Sequence, residues 1–450
     1  MRVVIIGGDA AGMSAASQVK RLKPEYEVVV FERGDYISYA ACGIPYFIEG
    51  AVGSMEELIE VSVEEAREKR KVDVRPGHNV VAIDPAARTV TVEHDGSRRA
   101  EPYDRLLIAT GARPQTMKID IKKHPNLFTM NDLYDARRIK DAIAARRPGS
   151  VAVIGGGYIG LEAVESFREQ GIETTLIHRR EDLHRSFETE ISDIIKKKLS
   201  ERGVTLSLGH AFSGVEDRGG RIGVVLDTGV AEFDAVLLAV GVEPNSGLAE
   251  TAGVPLGASG AIRVNEFMET GVDGIYAAGD CATARMTGFG IEVHAPLALK
   301  ANKQGVIAGM NMAGEREAFG GVMNTAITKI FDLGVARTGL SIDQARDLGL
   351  DPEKVMITSR DRARYYPGSS PINTLVMVSR KDGRVLGAQM AGRIESVKRI
   401  DVFATAIHNS MTIDQVFDLD LAYAPPFSPV YDPVLLAARV ARKKKKPTDA

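Results

Sequence analysis

The 450-residue sequence predicts an α/β protein with two Rossmann-like dinucleotide-binding domains followed by a C-terminal α+β region. Three observations carry this reading. The chain opens on an apolar strand, a glycine turn and a helix; the same unit returns near residue 151; and past residue 322 the pattern changes to turn-bounded strands followed by helices. With 44% hydrophobic and 26% charged residues, the chain can bury two or three cores of ordinary domain size. A formal net charge of −3 gives no global positive field for nucleic acid or an acidic membrane, which leaves small molecules as the expected partners. The first residues contain an apolar run of only four and no cleavage-like site, and no window reaches the roughly 18 to 20 apolar residues of a membrane span, so a cytoplasmic location is expected. Two cysteines far apart in sequence make no disulfide framework.

The first unit, "RVVIIGGDAAGMSAASQVKRL", reads as a buried parallel strand at 2–6 and an amphipathic helix over 10–22. A second strand, "EVVVFERG", brings Glu32 to the place where a carboxylate meets a ribose 2′-hydroxyl. Gly7 and Gly12 fit the outer glycines of the dinucleotide fingerprint. Its middle position is Asp9, so close approach of a pyrophosphate requires that side chain to turn away. Taken alone, the unit also reads as a helix packed on a strand with no ligand.

The second unit, "VAVIGGGYIGLEAVESFREQGIETTLIHRR", carries the full fingerprint in Gly155, Gly157 and Gly160. Where the first unit has an acidic residue it has His178, followed by Arg179 and Arg180. A carboxylate would repel a 2′-phosphate whereas these side chains can donate to one, which favours NADPH over NADH; a solvated basic loop is the alternative. The stretches "YDRLLIATGARP", "FDAVLLAVGVEPN" and "DGIYAAGDCA" are apolar strands ending in small-residue turns, the last offering Gly279 and Asp280 to ribityl hydroxyls. Two dinucleotides in tandem imply electron transfer, with a flavin in the first site and a nicotinamide in the second.

At this point the chain resembles the two-dinucleotide-binding flavoprotein disulfide reductases over nearly all of residues 1–440. Dithiol members carry two cysteines in a CxxxxC spacing and a C-terminal His-Glu base. Here Cys42 in "SYAACGIPYFIEG" is followed five places later by Phe47, and "DLDLAYAPPFSPVYDP" holds no histidine. Single-cysteine peroxidases and oxidases carry a histidine in the first glycine turn, where this chain has Ala10. The cysteine segment, together with "HAPLALKANKQG", "YYPGSSPI" and "AYAPPFSPVYDP", is similar to coenzyme A-disulfide reductases, the single-cysteine branch of the FAD/NAD(P)-dependent pyridine nucleotide-disulfide oxidoreductases.

That resemblance implies an FAD-dependent enzyme that reduces coenzyme A disulfide, or a related small disulfide or polysulfide, with NADPH or NADH through a Cys42–coenzyme A mixed disulfide. It places FAD against Gly7, Ala10, Ala11, Gly12, Glu32, Arg33, Val80, Thr110, Gly111, Gly279 and Asp280. The nicotinamide cofactor falls to Gly155, Gly157, Tyr158, Ile159, Gly160, Glu162, His178, Arg179, Arg180 and Gly241, with Tyr158 covering the nicotinamide face and Glu162 orienting the carboxamide. Coenzyme A would meet Ser14, Gln18, Arg21, Ser38 and His294; the first three also form one polar stripe on a helix, which a solvent-facing surface equally explains. Cys42 would be the nucleophile, its thiolate favoured by a following helix N-terminus, and Tyr366 or Tyr365 with Tyr423 would supply the leaving thiolate's proton. Cys281 reads as a small buried filler. The resemblance further implies a homodimer.

The expected domains are FAD-binding at 1–112 and 247–321, NAD(P)H-binding at 113–246, a dimerisation domain at 322–440 and a basic disordered tail at 441–450. The eight histidines show no metal spacing, so no metal is expected. The rival readings are an NAD(P)H oxidase or peroxidase working through Cys42 sulfenic acid, and a flavin redox sensor that only binds partners.

Overall fold

The computed structural model describes residues 1–445. The chain divides into two compact units, one of residues 1–115, 131–138 and 241–322, the other of residues 116–130, 139–240 and 323 onward.

The first unit is organised by a parallel sheet of five strands in the order Ile275–Ala277, Arg105–Ile108, Arg2–Ile6, Glu27–Phe31, Asp73–Arg75. Its first strand is apolar throughout because both of its faces are covered. Val3 and Ile5 join one core with Ala11, Ala15 and Val19 of the helix Ala10–Leu22, while Val4 and Ile6 join another with Val80, Val90 and Val92. The second core is closed by an antiparallel meander, Asn79–Asp84, Thr89–His94 and Ser97–Pro102, which sequence reasoning passed over.

The second unit repeats the plan with strands in the order Thr205–Leu208, Glu173–His178, Ser150–Ile154, Ala235–Leu238, Leu127–Phe128, all parallel. Again an antiparallel meander covers one face, Ile222 and Val224 of Phe212–Phe233 packing on Ala152, Ile154, Val236 and Leu238. The same unit contains a five-stranded antiparallel sheet in the order Ala326–Ile330, Leu333–Gly339, Val385–Arg393, Pro371–Ser379, Pro352–Arg360. Polar contacts tie it to the parallel-sheet part. Thr328 donates to Glu162 Oε1 at 2.8 Å, Lys329 pairs with buried Glu165, and buried Glu188 accepts from Ile342 N at 2.9 Å and from Lys354 at 3.2 Å.

The C-terminal helix spans Pro433–Lys445, so residues 441–445 are helical where a disordered tail was expected. Burial of Val434, Ala437, Ala438 and Ala441 explains this: an apolar stripe at helical spacing continues into the basic run. Residues 446–450 of the predicted tail lie outside the described residues. Among the described residues, no helix is long and apolar enough to cross a membrane.

Candidate active site

The glycine turn of the first unit is built by backbone proximity. Gly7 has φ +103°, and a Cβ there would lie 2.2 Å from Ala109 O; one at Gly12 would lie 1.9 Å from Gly7 O. Only glycine lets strand, turn and helix meet this closely. Asp9 does turn aside: its carboxylate accepts from Tyr39 N at 3.2 Å. Burial raises its pKa to about 6, with Glu32 and Asp280 adding repulsion and backbone hydrogen bonds opposing. Glu32 accepts from Gly8 N at 2.9 Å and Gly34 N at 2.8 Å. Ala10 opens the helix, Ala11 is buried, Val80 is in the core and Arg33 is exposed. Thr110 Oγ1 donates to Asn245 O at 2.6 Å, and a Cβ at Gly111, φ +66°, would find nothing within 4 Å.

The second turn has the same construction. Gly155, φ +115°, would place a Cβ 2.2 Å from Ala239 O, and Gly160 one 1.9 Å from Gly155 O, while a Cβ at Gly157 would meet nothing within 4 Å. That open middle position leaves room for a pyrophosphate against the backbone, with Tyr158 and Ile159 starting the helix Tyr158–Glu169. His178 takes Glu32's part, its Nδ1 accepting from Gly156 N at 3.2 Å, so in the neutral ring Nε2 carries the proton. Burial, then Arg179 and Arg180, lowers its pKa and keeps it neutral; the two arginines are themselves exposed.

Tyr158 packs on His184 with ring centroids 4.0 Å apart, and His184 on Phe187 at 4.9 Å. Burial pushes the Tyr158 phenol up to about 12 and His184 down to about 4, the nearby Arg337 guanidinium lowering both. Glu162 is raised by burial, against its hydrogen bond from Thr328. His184, Phe187 and Arg337 were missed from sequence because they come from a loop and from the distant strand Leu333–Gly339. Gly241, expected with these residues, belongs to the first unit, where Gln115 N donates to its carbonyl at 2.9 Å.

Among the described residues, buried polar atoms left without a hydrogen-bond partner include Tyr158 Oη, His178 Nε2 and Asp280 Oδ1. A buried polar atom without a partner is rare in native proteins, and a bound group is one way to satisfy it. These atoms suit dinucleotide hydroxyls and phosphates, so both turns fit such groups on this chain's own geometry. Asp280 sits after Gly279, φ +85°, where a Cβ would come within 2.8 Å of Ala11 Cβ. Burial raises the Asp280 carboxyl, opposed by Lys300 and His294. His294 Nε2 donates to Asp280 O at 2.8 Å.

Cys42 is exposed, in the 3₁₀ turn Ala41–Gly43 that runs into the helix Ile44–Glu49, while Phe47 is buried in that helix. Cys281 is fully buried among Val4, Ile108 and Ile262, as its reading as a filler requires. On the first helix Arg21 is exposed and donates to the buried Gln18 at 2.9 Å, and Ser14 donates to Asn302 at 2.9 Å, so the predicted stripe is only partly solvent-facing. Arg70, missed from sequence, adds a second cation there by donating to Ser17 Oγ at 3.2 Å. Ser38, φ +42°, lies just before the turn that holds Cys42: its N–H reaches Gly8 O at 3.0 Å and its carbonyl accepts from Glu60 N at 2.9 Å.

In the second unit the neighbouring Tyr365 hydroxyl raises the Tyr423 phenol. Tyr365 is 76% exposed, Tyr366 37% and Tyr423 46%, beside the exposed Phe427 and Val430. So much exposed apolar surface in one region marks an interaction face.

Residues 1–305 match the family model described as pyridine nucleotide-disulphide oxidoreductase, and residues 325–433 that family's dimerisation domain. A CoA-dependent NAD(P)H sulfur oxidoreductase of Pyrococcus abyssi is 42% identical over 98% of each chain. An NADH oxidase of Methanocaldococcus jannaschii is 33% identical over 99% of each chain, and a coenzyme A disulfide reductase of Staphylococcus haemolyticus is 30% identical over 98% of this chain and 99% of its own. The solved NAD-dependent persulfide reductase of A. fulgidus is similar at 36% identity and a TM-score of 0.96, over 99% of this chain and 84% of that one. With both parts matched in order along its length, this chain belongs to the pyridine nucleotide-disulphide oxidoreductase family, whose members bind FAD and a nicotinamide dinucleotide.

Proposed function

We propose that this oxidoreductase reduces coenzyme A disulfide, or a polysulfide or persulfide of similar reactivity, with NADPH or NADH through a Cys42–S–S–CoA mixed disulfide. The observation that carries the reading is the placement of the two thiols: Cys42 is exposed at a helix start, and Cys281 is sealed in a core. A dithiol cycle needs two sulfurs that meet, so on this reading the second comes with the substrate. The relatives named for coenzyme A-dependent sulfur chemistry support it.

The Cys42 thiolate attacks one sulfur of the substrate. The substrate S–S bond breaks, the mixed disulfide forms, and one coenzyme A leaves as thiolate. The Tyr365 and Tyr423 pair is the proposed proton source, since a phenol is protonated at neutral pH and can donate to a leaving thiolate. The chemistry a bound flavin supplies is passage of two electrons from the nicotinamide to the mixed disulfide, which releases the second coenzyme A and restores Cys42. Gly7, Gly12, Glu32 and Asp280 would hold that flavin, with Ala10, Ala11, Arg33, Val80, Thr110, Gly111 and Gly279 around it. Gly155, Gly157 and Gly160 would hold the nicotinamide cofactor, and His178 with Arg179 and Arg180 would favour the one with a 2′-phosphate. Ser14, Gln18, Arg21, Ser38 and His294 would receive coenzyme A, Arg21 facing a phosphate. The dimerisation domain implies a homodimer. The cytoplasm, where reduced nicotinamide and coenzyme A thiol coexist, is the proposed location.

The oxidase relative favours a second reading in which Cys42 cycles through sulfenic acid. Steady-state assays of the purified protein with coenzyme A disulfide, polysulfide, peroxide and oxygen separate them. We expect turnover with the sulfur substrates that Cys42→Ser abolishes; turnover confined to peroxide or oxygen overturns the proposal.

A further inference from the structure

The helix Ala298–Met312 lies against the first helix at backbone distance: a Cβ at Gly305 would come within 2.3 Å of Ala11 O, and one at Gly309 within 2.7 Å of Ala15 O. From this fixed helix two side chains one turn apart clamp the Gly279–Thr283 turn that carries Asp280. Gln304 accepts from Gly279 N at 3.1 Å and donates to Thr283 O at 2.9 Å. Lys300 Nζ donates to Gly279 O and to Ala282 O, both at 2.9 Å. Gln304 is fully buried and Lys300 is 3% exposed.

A neutral donor would satisfy the same carbonyls, as Gln304 does for Thr283. The lysine instead breaks two rules at once. It buries an ammonium, and that burial lowers its pKa from the usual lysine range. It also stands in the first turn of a helix, where the macrodipole is already positive and a cation is disfavoured. Among the described residues Lys300 makes no ion pair, and the acid that acts on it most, Asp280, has its own buried Oδ1 without a partner. Breaches of local rules concentrate where function requires them.

We propose that Lys300 is a positioning residue for the oxidoreductase chemistry: it fixes the turn that presents Asp280 and keeps a buried positive charge beside the FAD site, which favours the cofactor's two-electron reduction. A positive charge in a low-dielectric site stabilises a group that gains negative charge far more than water would. Lys300 was not singled out from the sequence, since a lysine in an amphipathic helix reads as solvent-facing.

The test is the midpoint potential of the bound flavin in the purified protein, compared with Lys300→Met, Lys300→Gln and Lys300→Arg, alongside FAD retention. The two neutral variants should keep FAD yet lose at least tenfold in the two-electron equilibrium, about 30 mV more negative. Lys300→Arg should stay near wild type. A neutral variant with an unshifted potential overturns the assignment, whatever its stability. So does failure of both neutral variants to fold while Lys300→Arg folds, since the charge then serves the fold alone. The inference rests on FAD occupying this unit: protein purified without bound flavin would sink that reading, whereas bound flavin with an unshifted potential sinks only the role of Lys300.

Discussion

The turns at Gly7–Gly12 and Gly155–Gly160 obey one set of backbone constraints and differ in two side chains. In both, the first glycine takes a positive φ, and a Cβ on it would lie 2.2 Å from the carbonyl that follows a neighbouring strand, while a Cβ on the last would lie 1.9 Å from the first glycine's oxygen. In both, a residue at the end of the next strand accepts the N–H of the second glycine. But Asp9 occupies the middle of one turn where Gly157 leaves the other open, and the accepting group is the carboxylate of Glu32 in one and the imidazole of His178 in the other. Backbone packing therefore makes each turn a candidate dinucleotide cradle, and on the proposed reading the side chains decide which dinucleotide it prefers.

The largest expected effect comes from closing a cradle. Gly160→Ala forces the backbone apart, a strain of about 1 to 3 kcal/mol or more, so affinity for the nicotinamide cofactor should fall roughly 10- to 100-fold with FAD retained. Gly12→Ala should do the reverse. Titrations that show the opposite pairing would reverse the assignment of the two turns.

Asp9 has no titrating counterpart in the second turn. Its folded pKa of about 6 lies above the ordinary 3.8, so the folded state holds a proton that the unfolded state has lost. Stability should therefore be greatest below about pH 4 on this account and fall as pH rises to about 6, by roughly 2 to 3 kcal/mol at about 1.4 kcal/mol per pKa unit. A bound pyrophosphate repels the ionised carboxylate and keeps the sign. Denaturant unfolding at pH 4.5 and pH 7 should show this contribution in wild type and not in Asp9→Asn; equal pH dependence in both would refute it.

Exchanging the accepting group is a smaller step. His178→Glu copies Glu32 into the second turn and should lower the preference for NADPH over NADH about tenfold, within the 1.5 to 3 kcal/mol of a charged hydrogen bond. An unchanged ratio of kcat/KM values would show that His178 does not read the 2′-phosphate. The smallest effect is expected at Tyr365→Phe. Losing the Tyr365 hydroxyl should slow turnover roughly 2- to 10-fold, and it should move the alkaline limb of the kcat profile to lower pH as the Tyr423 phenol returns toward its ordinary range.

Both nucleotide units were legible because their strands are buried on two faces and their glycines stand at fixed spacing. The meanders that cover them were not read, although "HDG" held a hairpin signal: Asp95 and Gly96 have φ of +49° and +74°, the two positive values of a type I′ turn. The thiol was legible as a single-cysteine site, since Phe47 stood where a partner would be. The Tyr158, His184 and Arg337 cluster was only half legible, because a long-range cluster leaves no period in the sequence. Lys300 was invisible for a different reason: burial of a charge contradicts the rule by which sequence is read.

The central claim is that the second sulfur arrives from outside the chain. Mass spectrometry of the untreated, non-reduced protein tests it most directly. The account predicts one coenzyme A per chain, located on the peptide that contains Cys42 and removed by a thiol reductant. A chain that is unmodified, or that carries only oxygen on Cys42, would contradict it.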